Sequence, residues 1–125
     1  MILDTNAVSA LFSGDAGLAK LLGTEGRHHL PTIVIGEYRY GLQGSSHRRH
    51  LEVLLADLIF ESTVLSVDEE TANTYSIVRN DLRELGKPIP ENDVWIAALA
   101  VQHGLPVVTR DSHFGHVPGV TSFSW

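Results

Sequence analysis

Short apolar runs alternate with helix-patterned stretches along the whole chain, and that alternation constrains the fold more than any single residue. Met1-Ile2-Leu3 is apolar, Asp4-Thr5-Asn6 is polar, and residues 7–12 have helical character. Asp15 can cap a second short helix through Leu22, with Gly23 as its stop. His28-His29-Leu30 reads as a strand, and Thr32, after Pro31, as the cap of a helix to about Leu42. A helix beginning at Ser45-Ser46 carries Leu51, Leu54, Leu55 and Leu58 at helical spacing, and Phe60 to Leu65 reads as a strand. Ser66-Val67-Asp68-Glu69 resembles a capping box, followed by the stripe Ala72, Tyr75, Val78, Leu82 and Leu85. Pro90 opens a helix from Glu91 to about Gln102, which Gly104 ends. Leu105-Pro106-Val107-Val108 and Val120 to Phe123 supply the last strands. Strands that alternate with helices imply a parallel sheet covered on both faces. Five short strands and about six helices are expected.

A length of 125 residues suits one domain, 1–125, and neither a repeat nor a linker interrupts it. With no cysteine, disulfides and thiolate metal sites are excluded, and a reducing cytoplasm is the expected location. The apolar runs fall far short of a bilayer span, and the first residues lack the pattern of a signal peptide, so no membrane association is expected. The net charge of −6 argues against broad electrostatic binding of nucleic acid. It leaves room for an acidic site that meets a phosphate through a metal ion.

Four acids occupy chemically informative places. Asp4 ends the first strand and Asp111 follows Val107-Val108, so both fall on the edge of a parallel sheet where ligands bind. Asp93 lies in the first turn of a helix, and Glu37 sits among Ile33, Val34, Ile35, Tyr38 and Tyr40. Each has an ordinary reading: strand-end acids act as caps or turns, and a first-turn acid complements the helix dipole. A buried Glu37 needs a partner. Converging carboxylates raise one another's pKa, and a divalent cation removes that penalty. An all-oxygen set without Cys favours Mg²⁺ or Mn²⁺ over zinc.

The segments Met1-Ile2-Leu3-Asp4-Thr5-Asn6, Ile35-Gly36-Glu37, Asn92-Asp93-Val94-Trp95-Ile96-Ala97-Ala98 and Leu105 to Phe114 together resemble the motif blocks of PIN-domain ribonucleases. The resemblance is strongest to VapC toxins of type II (VapBC) toxin–antitoxin pairs and covers nearly the whole chain. It implies a three-layer α/β/α fold with a central, mostly parallel five-stranded sheet. It implies a Mg²⁺- or Mn²⁺-dependent endoribonuclease with Asp4, Glu37, Asp93 and Asp111 as its acidic metal site. Thr109 then matches the hydroxyl residue that bonds within the site, and Asn6 the polar residue that orients the first acid. The family's toxins commonly dimerise and are inhibited by a small antitoxin that enters the active-site groove. Arg110 is a candidate substrate or antitoxin contact beside its plain reading as a solvated loop arginine.

The other candidates have bland readings. His47-x-x-His50 and His113-x-x-His116 lack the further Cys or His that structural zinc needs. His113, next to Asp111, is placed to approach a substrate, with loop packing as its plainer reading, and Trp95 reads as helix packing rather than a base-stacking surface. Tyr38 and Tyr40 can line a groove or a dimer seam, and Arg48-Arg49 reads as a solvated helix face, with a local phosphate contact as its alternative. A haloacid-dehalogenase-type phosphatase also starts with a strand and an Asp, but its Asp-x-Asp is broken here by Asn6. A nucleotide-binding module wants a glycine-rich phosphate loop, and no Gly-x-Gly occurs. A non-toxin nuclease or an RNA- or protein-interaction domain on the same fold is the alternative; loss of acids would mark the non-catalytic form.

Overall fold

The computed structural model of the chain describes residues 1–23 and 25–125. Ile2 and Leu3, both wholly buried, form the central strand β1 (Ile2–Leu3). Asp4 then caps α1 (Thr5–Phe12), its carboxylate accepting from the Thr5 amide at 2.8 Å. Asp15 caps α2 (Ala16–Leu22), and Gly23 follows with a φ of +51° that suits glycine. Next come β2 (His29–Pro31), α3 (Thr32–Leu42), α4 (Arg48–Glu61) and β3 (Thr63–Leu65). The helices α5 (Glu69–Glu84) and α6 (Glu91–His103) precede β4 (Val107–Val108), a 3₁₀ turn (Ser112–His116) and β5 (Ser122–Phe123).

The strands lie in the order β3-β2-β1-β4-β5, and every pair is parallel. From β1 the chain steps outward through β2 to β3, then returns past β1 to β4. Right-handed crossovers therefore place α1–α4 on one face of the sheet and α5–α6 on the other. The helix contacts agree: α1 meets α2 and α3, α3 meets α4, and α5 meets α6 most extensively. The reversal of direction between β1 and β4 is the topological switch point, where open α/β sheets bind ligands. The register there pairs Ile2 with Val107 and Leu3 with Val108. The next residues, Asp4 and Thr109, consequently emerge side by side.

Two helices carry the other acids to this edge. In α3, Val34, Tyr38 and Leu42 recur every fourth residue and face the core, leaving Glu37 beside that stripe. In α6 nearly every residue from Asp93 to Ala100 is buried. Such a helix, apolar almost all round, is enclosed by its neighbours, packing on α5 and touching α3 and the 3₁₀ turn. No helix among the described residues is long and apolar enough to cross a membrane.

Several boundaries differ from the sequence reading. Phe60 and Glu61 complete α4 instead of opening the strand, because the helix runs on to its C-cap at Ser62; Phe60 is left 85% exposed. Ser45-Ser46 lies before that helix, with Ser45 Oγ accepting from the His47 amide at 3.1 Å in a turn. Pro31 ends β2 and caps α3, so Thr32 is the first helical residue and not the cap. The capping box is made by Asp68 and Thr71, each two residues later than the Ser66 and Glu69 that the sequence suggested. The last strand shrinks to Ser122–Phe123.

Candidate active site

Asp4 is 4% exposed, and three donors hold its carboxylate: the Thr5 amide, Asn6 Nδ2 at 3.2 Å and Thr109 Oγ1 at 2.7 Å. Thr109 Oγ1 also accepts from Asn6 Nδ2 at 3.2 Å and from the Asp111 amide at 2.9 Å. One hydroxyl has one proton to donate and two lone pairs to accept with. All three are in use, so Thr109 is a fastener between the ends of β1 and β4. Asn6 completes it by accepting from the Arg110 amide through Oδ1 at 3.0 Å. Burial raises the Asp4 pKa, and the Asp111 charge adds to that rise. The bonds from Thr109, Thr5 and Asn6 oppose it.

The second half of the site joins α6 to the 3₁₀ turn. Asp111 caps that turn by accepting from the His113 amide at 2.9 Å. His113 Nδ1 then stands 2.8 Å from Asp111 Oδ1 and 3.0 Å from Asp93 Oδ2. Asp93 is 8% exposed. Burial, helped by the charges of Asp4 and Asp111, pushes its pKa up to about 6 although His113 pulls it down. The bond to Asp93, with Asp111 beside it, holds the His113 pKa above its ordinary value. Asp93, Asp111 and His113 place one ligand atom each within 4.8 Å of one another, and no other such trio occurs among the described residues. The donor set fits a divalent cation: carboxylates that repel one another want positive charge, and the His113 imidazole is the side chain facing two of them.

Glu37 reaches the cluster indirectly, accepting from Thr5 Oγ1 at 3.2 Å, one residue beyond Asp4. The structure thus brings Asp4, Asp93 and Asp111 into mutual electrostatic range, with Asn6 and Thr109 between the strand ends and Glu37 one residue removed. Arg110 is committed elsewhere: its guanidinium lies 4.5 Å from the Trp125 ring, donates to the Trp125 carbonyl and pairs with Asp15. Trp95 stacks on Tyr75 with ring centroids 3.9 Å apart, which makes it a joint between α6 and α5. Tyr38 is buried edge-on against Phe12, whereas Tyr40 is exposed. A cleft of about 650 Å³ lies away from the acids, between α5 and the start of α6, lined by Tyr75, Arg79, Arg83, Ile89 and Glu91.

Sequence reasoning gave Thr5 no role, and it weighed His113 but read it as loop packing. The signal for His113 was its place two residues after Asp111: once Asp111 caps the turn, the next-but-one side chain folds back onto it. His116, by contrast, is exposed and outside the trio.

The PIN domain family model matches residues 1–120. The chain is 30% identical over 123 residues to Ribonuclease VapC5 of Mycobacterium tuberculosis, an alignment covering 97% of this chain and 90% of that protein. Among solved structures it is similar to FitAcB from Neisseria gonorrhoeae, with a TM-score of 0.84, 28% identity, and 98% and 95% of the two chains covered. DNA-bound VapBC from Salmonella typhimurium superimposes with a TM-score of 0.88 at 25% identity, covering 99% of this chain and 96% of that one.

Proposed function

Because this chain belongs to the PIN-domain family, we propose that residues 1–125 form one PIN domain that hydrolyses RNA as the toxin of a type II toxin–antitoxin pair. The observation that carries the reading is the buried acidic edge at the switch point of the sheet, where burial, with the charge of Asp111 adding to it, raises the pKa of Asp4 and Asp93. The name of the relative Ribonuclease VapC5 supplies the substrate class, and the resemblance to VapC toxins supplies the toxin role. Asp93 and Asp111 would hold a Mg²⁺ or Mn²⁺ ion, with Asp4 and Glu37 completing the carboxylate set. Such an ion activates water and stabilises charge on a phosphodiester.

The protein's own contribution is preorganisation. Thr109 and Asn6 fix the Asp4 carboxylate so that it does not reorient when substrate arrives. Burial of Asp4 and Asp93 keeps bulk water from screening the site. The chain acts in the cytoplasm as a homodimer, with a small antitoxin as its inhibitor, as the family resemblance implies.

Purified protein is expected to cleave RNA with Mg²⁺ or Mn²⁺ and to stop in EDTA. Asp4→Asn is expected to be folded and inactive. Cleavage that persists in EDTA would overturn the metal mechanism, and full activity of Asp4→Asn would remove that residue from the site. Expression alone is expected to arrest growth, with relief from a small protein encoded beside it.

A further inference from the structure

Imidazole is the donor that the four-carboxylate reading leaves out. We propose that His113 Nδ1 is itself a ligand of the ion held by Asp93 and Asp111, and that it tilts the site away from Mg²⁺ towards divalent transition metals. The proposal rests on the metal-dependent reading above and specifies which ions that site takes.

Geometry comes first. Nδ1 stands 2.8 Å from Asp111 Oδ1 and 3.0 Å from Asp93 Oδ2. In an octahedron with ligand distances of roughly 2.1 Å, adjacent donors are about 3.0 Å apart. Nδ1 is therefore spaced from each carboxylate oxygen as a neighbouring corner of one coordination shell, and one ligand atom from each of the three residues falls within 4.8 Å of the others. A single N–H cannot point straight at two carboxylate oxygens at once, whereas an ion between the three satisfies both oxygens and the nitrogen lone pair.

The position is also fixed by backbone. The His113 amide bonds Asp111 Oδ1, and the Asp111 amide bonds Thr109 Oγ1, which bonds Asp4. The imidazole is thus anchored through the same contacts that orient the acids. A chance visitor from a loose loop has no such anchoring. Mg²⁺ prefers an all-oxygen shell and holds its waters, while imidazole nitrogen suits transition ions. One nitrogen among carboxylates accordingly shifts selectivity without removing the oxygen chemistry.

Mn²⁺ is the probe, because its bound nitrogen is visible by pulsed electron paramagnetic resonance. The Mn²⁺-loaded full chain is expected to show coupling to one imidazole ¹⁴N. His113→Gln is expected to abolish that coupling, to weaken Mn²⁺ binding about tenfold, and to leave Mg²⁺ affinity within about twofold. Mn²⁺ that binds without ¹⁴N coupling overturns the proposal while sparing the acidic site. Coupling that persists in His113→Gln, or equal weakening of Mg²⁺ and Mn²⁺, overturns it too. Failure of the wild-type chain to bind either ion, by calorimetry, overturns the metal-dependent reading itself.

Discussion

At the residue scale, Asp93 illustrates how a site suited to a cation disfavours the empty fold. Its pKa, pushed up to about 6 mainly by burial, exceeds the ordinary 3.8, so the folded state binds its proton more tightly than the unfolded state does. This group's share of stability is present below pH 4 and is lost as pH rises through about 6. Asp93→Asn carries no charge to desolvate. In EDTA at pH 7.5 the variant is expected to melt at or above the wild-type temperature while being inactive. Near pH 5 the gap closes, because wild-type Asp93 is then largely protonated. Thermal melts of both proteins at the two pH values check this, and a variant markedly less stable at pH 7.5 contradicts it. Thr109 makes the opposite case. Thr109→Val leaves the Asp111 amide unpaired and deprives Asp4 of its shortest bond. A loss of about 1–3 kcal/mol in urea unfolding is expected, together with reduced cleavage. Thr109→Ser keeps the hydroxyl and should recover most of both.

At the element scale, the helices were legible where their residues carry their own signals and illegible where neighbours decide. Asp15 and Gly23 bounded α2 because capping chemistry is local. Ile59 and Phe60 have the composition of a strand, yet the helical turns before them continue to Ser62, so local β-propensity lost to an element already formed. The same limit applied to His113. The sequence shows that it follows Asp111 by two, but only the fold of α6 brings Asp93 to its other side. Asp4, Asp93 and Asp111 were readable for the converse reason: strand-end and helix-start positions share one edge of any parallel sheet. Elements also separate stability from chemistry. The Asp68 and Thr71 capping box opens α5 beside Gln102, at the end of α6 opposite Asp93. Asp68→Ala is expected to cost about 1 kcal/mol of stability and to leave the cleavage rate unchanged. A rate loss exceeding the loss of folded protein would mean that α5 transmits strain to the site.

At the scale of the whole molecule, the charge balance dictates how RNA can be held. The net charge is −6, and several arginines are already spent on acids: Arg39 with Glu52, Arg79 with Glu91 and Arg110 with Asp15. A long phosphate track has few cations from which to be built. The adjacent pair Arg48 and Arg49, at the start of α4 and exposed, is the main cationic pair that remains. Single-stranded nucleic acid loses about 0.7 in the slope of log affinity against log salt for each phosphate neutralised. Binding of RNA to the inactive Asp4→Asn chain, at fixed Mg²⁺, is therefore expected to fall with a slope no steeper than about −2, for roughly three phosphates. Fluorescence anisotropy across a salt series measures it. Replacing Arg48 and Arg49 together with alanine should flatten the slope further. A slope beyond about −4 would require some six phosphate contacts, and hence a basic surface that one copy of this chain does not provide; a second copy or another protein would have to supply it.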